Sequence, residues 1–204
     1  MLFDDTYKTA AAPCEGLFKD RGSKFIAYVF PVSSEEEVKK HLAELRKEHF
    51  SARHHCYAFR LGADKQHFRS NDDGEPSGTA GKPILGQIQS HDLTNILVVV
   101  VRYFGGTLLG VSGLIAAYKG AADDALSRAP IVERTVNEIY ELKFPYAAMN
   151  EVMKILKDEE LEQFDQQFEL DCSLKFAVRK STADQVCEQL KKINELKIVY
   201  LKTS

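Results

Sequence analysis

The chain has 204 residues, 44% apolar and 28% charged, with a formal net charge of −3, which suits one large domain or two small ones in an ordinary globular composition. No apolar run reaches the roughly 18–20 residues that span a bilayer, and the acidic start Met1-Leu2-Phe3-Asp4-Asp5 lacks the basic and apolar regions of a signal peptide. Residues 1–137 hold 17 basic and 17 acidic side chains and residues 138–204 hold 10 and 13, so the basic excess of a generic polyanion binder is missing and any nucleic-acid site must be a local groove.

In chain order, 16–21 and 24–30 read as strands about a Gly22-Ser23 turn. Ser33-Ser34-Glu35-Glu36-Glu37 is a capping-box start, and Val38, Leu42, Leu45 and His49 continue at helical spacing, predicting a helix over 34–49. Strands follow at 56–61 and 66–71, separated by Gly62-Ala63-Asp64. A Gly/Pro/Ser loop over 72–83 leads into a short helix at 83–89. Residues 95–104 are apolar on both faces, as in a central strand covered on both sides. The helix predicted over 112–128 is rich in small residues (Gly113, Ala116, Ala117, Gly120, Ala121), which permit close backbone approach. Ala129-Pro130 ends it, and 132–137 is the expected boundary between domains 1–134 and 135–204. Beyond it the order is strand 138–144, helix 146–157 with Pro145 at its start, strands 161–168 and 172–179, helix 182–193 with Ser181 as a cap, and strand 197–202. This βαββαβ order is that of a ferredoxin-like domain, so the fold class is α+β.

Two segments concentrate chemistry. In Asp72-Asp73-Gly74-Glu75-Pro76-Ser77-Gly78-Thr79-Ala80-Gly81-Lys82-Pro83, Ser77, Gly78 and Thr79 offer amides and hydroxyls to an anion, with Lys82 adding charge at the helix start. The alternative is a tight structural loop whose glycines take left-handed conformations. Further on, the strand 95–104 delivers Arg102, Tyr103 and Phe104 into Gly105-Gly106. An arginine after so apolar a run requires a partner: an anionic ligand at the glycine turn, or an internal carboxylate from Asp72, Asp73 or Glu75. Lys82 and Arg102 are the expected phosphate contacts, and Gly78, Gly105 and Gly106 the points of close approach. Tyr103 or His54 would stack on a base, with Arg53, Arg69 and Lys119 as further cationic candidates. On this reading Arg102→Ala weakens binding without unfolding the protein.

Metal, cofactor and nucleophile chemistry find little here. His54 and His55 are adjacent on a strand and point to opposite faces, so they do not share a metal. Cys14, Cys56, Cys172 and Cys187 are scattered, with no Cys-x-x-Cys pair, which predicts reduced cytoplasmic thiols and no disulfide or zinc framework. Cys56 has no base beside it, and neither Gly-x-Ser-x-Gly nor Gly-x-Gly-x-x-Gly occurs. The reading leans away from an enzyme and leaves catalytic residues unassigned; no metal or cofactor is expected.

The blocks His54-His55-Cys56-Tyr57-Ala58-Phe59-Arg60, Asp72 through Gly81, and Val101-Arg102-Tyr103-Phe104-Gly105-Gly106 with Leu109-Gly110 resemble the signatures of the IMPACT family. The order of the C-terminal elements is similar to its two-domain bacterial YigZ-like branch. The resemblance implies an N-terminal domain like ribosomal protein S5 domain 2, a mostly antiparallel sheet with helices on one face. It also implies a C-terminal domain like the fifth domain of elongation factor G. Eukaryotic members regulate translation by competing for the activator of a kinase that phosphorylates an initiation factor in amino-acid starvation, and they carry an extra N-terminal partner-binding domain. The family blocks here begin almost at residue 1, so that role is not expected to carry over. The expected function is RNA or ribosome association linked to translation. The alternatives are an enzyme or binder of a small phosphorylated ligand at the two loops, and a protein-interaction module working through the open C-terminal sheet.

Overall fold

The computed structural model describes residues 5–203. They fall into two units: Tyr7–Arg134, and the described residues before Tyr7 together with those from Thr135 onward. The whole is mixed α/β, with three sheets.

The first unit runs β1 (Thr6–Ala10), β2 (Cys14–Asp20), β3 (Ser23–Pro31), α1 (Glu35–Glu48), β4 (His54–Leu61), β5 (His67–Asn71), α2 (Gly81–Ser90), β6 (Ile96–Tyr103), α3 (Gly110–Arg128) and β7 (Ile131–Thr135). Its main sheet is antiparallel in the order β2-β3-β6-β4-β5, and β1 pairs with β7 separately. Residues Ile96 through Val101 of the middle strand are 0% exposed. Their alternation explains why. Ile96, Val98 and Val100 pack with Ile84 and Ile88 of α2 and with Leu114, Ala117 and Ala121 of α3. Leu97, Val99 and Val101 pack on the other face with Val38 and Leu45 of α1. The resemblance implies helices on one face only, and α1 corrects this. Its apolar stripe closes the second face, and leaving that face wet would expose half of an all-apolar strand.

Local chemistry accounts for the element ends. The β2–β3 hairpin pairs Asp20 with Ser23, so its turn is Arg21-Gly22, both at positive φ, and not Gly22-Ser23. Such a pair of left-handed residues matches the twist of the flanking strands. Ser34 caps α1 by accepting from Glu37 N. Glu37 reaches back to Ser33 N at 2.6 Å, one residue earlier than a standard box. The small residues of α3 serve its approach to β2: a Cβ on Gly16 would lie 2.4 Å from Ala125 N.

In the second unit the order is β8 (Asn137–Pro145), a 3-10 turn (Tyr146–Ala148), α4 (Met149–Asp158), β9 (Glu162–Gln167), β10 (Asp171–Arg179), α5 (Lys180–Leu190) and β11 (Lys197–Thr203). Its sheet is antiparallel in the order β11-β8-β10-β9. Leu142, Phe144, Leu174, Phe176 and Val178 meet Val152 and Leu156 of α4 and Val186 and Leu190 of α5. Two sequence readings need correction. Pro145 ends a strand rather than opening an α-helix, and α5 begins after Arg179 with no side-chain cap. Ser181 instead hydrogen-bonds Asp5; with the stronger hydrogen bonds from Arg179 it holds that carboxyl at about 2.

Candidate functional site

β5 and β6 both pair antiparallel with β4, so they run parallel and leave the sheet at the same end. His54, the first residue of β4, pairs with Arg102 near the end of β6. Both chemistry-bearing segments of the sequence therefore start from one end of the sheet. They end up in different states.

The 72–83 loop is folded around its own anion. Asp72 Oδ2 accepts from Gly78 N at 2.8 Å, and Oδ1 accepts from Ala80 N at 3.0 Å and Gly81 N at 2.8 Å. Burial pushes this carboxyl up, but those three amides and the charge of Lys82 outweigh it, and the net shift is downward. Asp72 thereby caps α2, whose own N-cap residue Ala80 has no side chain to do so. Thr79 is buried, and its hydroxyl donates to Pro76 O at 2.6 Å. The amide of Gly78 and the hydroxyl of Thr79 are thus spent inside the loop. Ser77 and Lys82 remain exposed at its surface.

Asp73 is equally committed. It accepts from Arg46 Nη2 at 2.9 Å and from His55 N at 2.7 Å, and its carbonyl accepts from His54 Nδ1 at 2.9 Å. Of the three carboxylates expected to hold Arg102, only Glu75 does. Arg102 Nη1 donates to Glu75 Oε1 at 2.6 Å, and Tyr118 Oη donates to the same oxygen at 2.8 Å. Asp72 and Asp73 are not partners of Arg102, because backbone amides and Arg46 already satisfy them. Cys56 closes this buried cluster, its Sγ 3.0 Å from Asp72 O and 3.3 Å from Tyr118 Oη. Burial pushes the Cys56 thiol far up, so it is no nucleophile at neutral pH.

What remains unspent lies at the end of β6. Arg102 is 7% exposed, and its Nε has no hydrogen-bond partner. It forms part of the wall of a cleft of about 610 Å³, with Ser51, Arg53, His54, Tyr103, Phe104 and Leu108. Arg53 is exposed, and among the described residues no carboxylate forms an ion pair with it. His54 donates through Nδ1 to a backbone carbonyl, which leaves Nε2 as the nitrogen able to accept. α3 begins at Gly110 without a side-chain cap, two residues after Leu108. A cleft with two guanidinium groups, an imidazole and aromatic edges is suited to an anion carrying a π-system.

The structure brings together Arg53, His54, Arg102 and Tyr103. Lys82, Arg69 and Lys119 are exposed on the loop surface, on edge strand β5 and on α3, outside the cleft. Gly105 and Gly106 are exposed just past β6. Gly105 donates to Ser23 Oγ at 3.1 Å, and a Cβ there would lie 1.9 Å from the carbonyl carbon of Gly22. Its close approach is to the β2–β3 turn, not to a ligand. Tyr103 has its hydroxyl tied to His49 Nδ1 at 2.8 Å, and Tyr28 Oη meets His49 Nε2 at 2.7 Å. Ser51, Phe104 and Leu108 are the cleft residues absent from the candidates of the sequence reading. Only Phe104 carries a signal, the strand period: it follows Arg102 by two. In the second unit, a groove of about 770 Å³ mixes Glu141, Asp171 and Glu195 with Lys143 and Lys197, and Lys143 is paired with Glu141. Its charges largely offset one another.

The family model of the Impact N-terminal domain matches residues 21–126, which include both segments. The chain is 37% identical over 154 residues to the IMPACT family member YigZ of Escherichia coli, covering 74% of this chain and 76% of that protein. It belongs to the IMPACT family. The Bacillus subtilis member YvyE is 36% identical over 136 residues, 67% of this chain and 63% of its own length. A solved crystal structure of a hypothetical protein covers 97% of this chain at 30% identity and a TM-score of 0.74. The cleft residues from Ser51 to Leu108 all lie within the matched family domain. Among the described residues no helix is long and apolar enough to cross a membrane.

Proposed function

We propose that this IMPACT-family chain is a cytoplasmic, RNA- or ribosome-associated factor linked to the regulation of translation, with the cleft at the end of β6 as its RNA contact. One observation carries the reading: Arg102, nine-tenths buried, forms part of the wall of a cleft whose second arginine, Arg53, is exposed and among the described residues has no acidic partner. Guanidinium groups in such a cleft suit the oxygens of a phosphate. The fold assignments belong to the same proposal. The antiparallel sheet of the first unit supports a likeness to ribosomal protein S5 domain 2. The βαββαβ order with strands arranged β11-β8-β10-β9 supports a ferredoxin-like domain similar to the fifth domain of elongation factor G. Such folds host many functions, so the site must carry the argument.

The test is binding of a single-stranded RNA oligomer by the full chain across a salt series. The expected result is an affinity that falls with salt, with a slope of log K against log salt near −0.7 per phosphate contact. Absence of salt-sensitive binding near physiological ionic strength would refute the proposal. A second reading has one observation in its favour. The anchored His54, with Nε2 free beside two arginines, suits proton transfer on a small phosphorylated ligand. A marked thermal shift with a single mononucleotide and none with RNA would favour that reading.

A further inference from the structure

Resting on the RNA reading of this cleft, we propose that Phe104 is a stacking platform for an unpaired base, which makes the ligand a single strand. The Arg102 guanidinium lies over two rings, 5.5 Å from the Phe25 centroid and 5.6 Å from the Phe104 centroid. Phe25 is 0% exposed and belongs to the core, whereas Phe104 is 56% exposed. The inner side of Phe104 is therefore occupied by a cation that its own chain supplies, and more than half of its surface stays wet. Leu108, also lining the cleft, is 82% exposed.

A base laid on the outer side of Phe104 would continue the order Phe25, Arg102, Phe104, and would cover apolar surface that water now covers. Its phosphates would lie beside Arg53. In a duplex the faces of each base are covered by its neighbours, so this contact is open only to unpaired nucleotides. Tyr103 does not compete for the role, since its hydroxyl is held by His49.

The experiment compares three probes of equal length on the full chain: oligoadenylate, an abasic ribose-phosphate oligomer, and an RNA duplex. Wild type is expected to bind oligoadenylate more tightly than either of the others. Phe104→Leu should weaken oligoadenylate roughly 5- to 150-fold, the equivalent of about 1–3 kcal/mol per stacked base. It should leave the salt slope and the abasic oligomer unchanged, and Phe104→Trp should restore binding. Melting curves of both variants establish that they are folded, as expected for a half-exposed position. Equal wild-type affinity for oligoadenylate and the abasic oligomer, with Phe104→Leu neutral, would overturn the stacking proposal and leave the anion cleft intact. Equal affinity for the duplex would also overturn it. Failure of all three probes to bind would remove the RNA reading itself.

Discussion

The loop over 72–83 and the strand end at 102–108 leave the same end of one sheet, and on composition the loop is the richer in polar groups. In the folded chain the order of interest reverses. Asp72 satisfies the amides of Gly78, Ala80 and Gly81, Asp73 satisfies Arg46 and His55, and Thr79 satisfies Pro76. The strand end, with fewer polar residues, keeps Arg102 in the wall of a cleft beside a half-exposed ring, and the same cleft holds Arg53, which among the described residues has no acidic partner. Polar density marks a place where the backbone needs help. A site is marked by what is left over after that help is given.

The largest effect should come from cutting the link between the two regions. Arg102→Ala leaves Glu75 buried without its cation, which costs about 3–5 kcal/mol. The variant should therefore unfold at much lower denaturant, against the tolerance that the sequence alone suggested. Arg102→Met combined with Glu75→Gln should recover most of that loss while lacking RNA affinity. Next comes Asp72→Ala, which strips three amides of their acceptor. A loss of roughly 3 kcal/mol is expected, with unchanged RNA affinity per folded molecule. An Asp72→Ala protein that folds normally and loses binding would make the loop the site and break the comparison.

Gly105→Ala should cost about 1–3 kcal/mol, because its Cβ would collide with the backbone of the Arg21-Gly22 turn. A neutral result would show that the close approach is dispensable. The pH dependence is smaller. Burial pushes His55 below its usual 6.5, and the opposing pull of Asp73 does not reverse this. Between the folded and free values the unfolded chain binds a proton that the folded chain refuses, so stability falls as pH drops below about 6.5. Urea midpoints at about pH 8 and about pH 5 should show that loss in wild type, and less of it in His55→Phe.

Much of the fold was legible because its signals are local and periodic. The unbroken apolar run of β6, the Ser34 start of α1 and the strand–helix order after residue 135 each follow from side-chain spacing. The side of the sheet taken by α1 was not legible, since an amphipathic stripe declares that it will be buried but not against what. The site was legible as a neighbourhood. Arg53, His54, Arg102 and Tyr103 do converge, yet the division between Asp72, Asp73 and Glu75 depends on which acid reaches which donor in three dimensions. No spacing rule encodes that. The exchange of Tyr103 for Phe104 was within reach, because period-two alternation places Arg102 and Phe104 on one face.

The most direct test of the comparison is the salt dependence of RNA binding by Arg53→Ala set beside Lys82→Ala. Both residues are exposed cations, one in the cleft and the other on the self-satisfied loop. Arg53→Ala should reduce the slope of log K against log salt by about 0.7 while leaving stability unchanged, and Lys82→Ala should alter neither. The reverse pattern, a reduced slope for Lys82→Ala and none for Arg53→Ala, would contradict the account and return the loop to the centre of function.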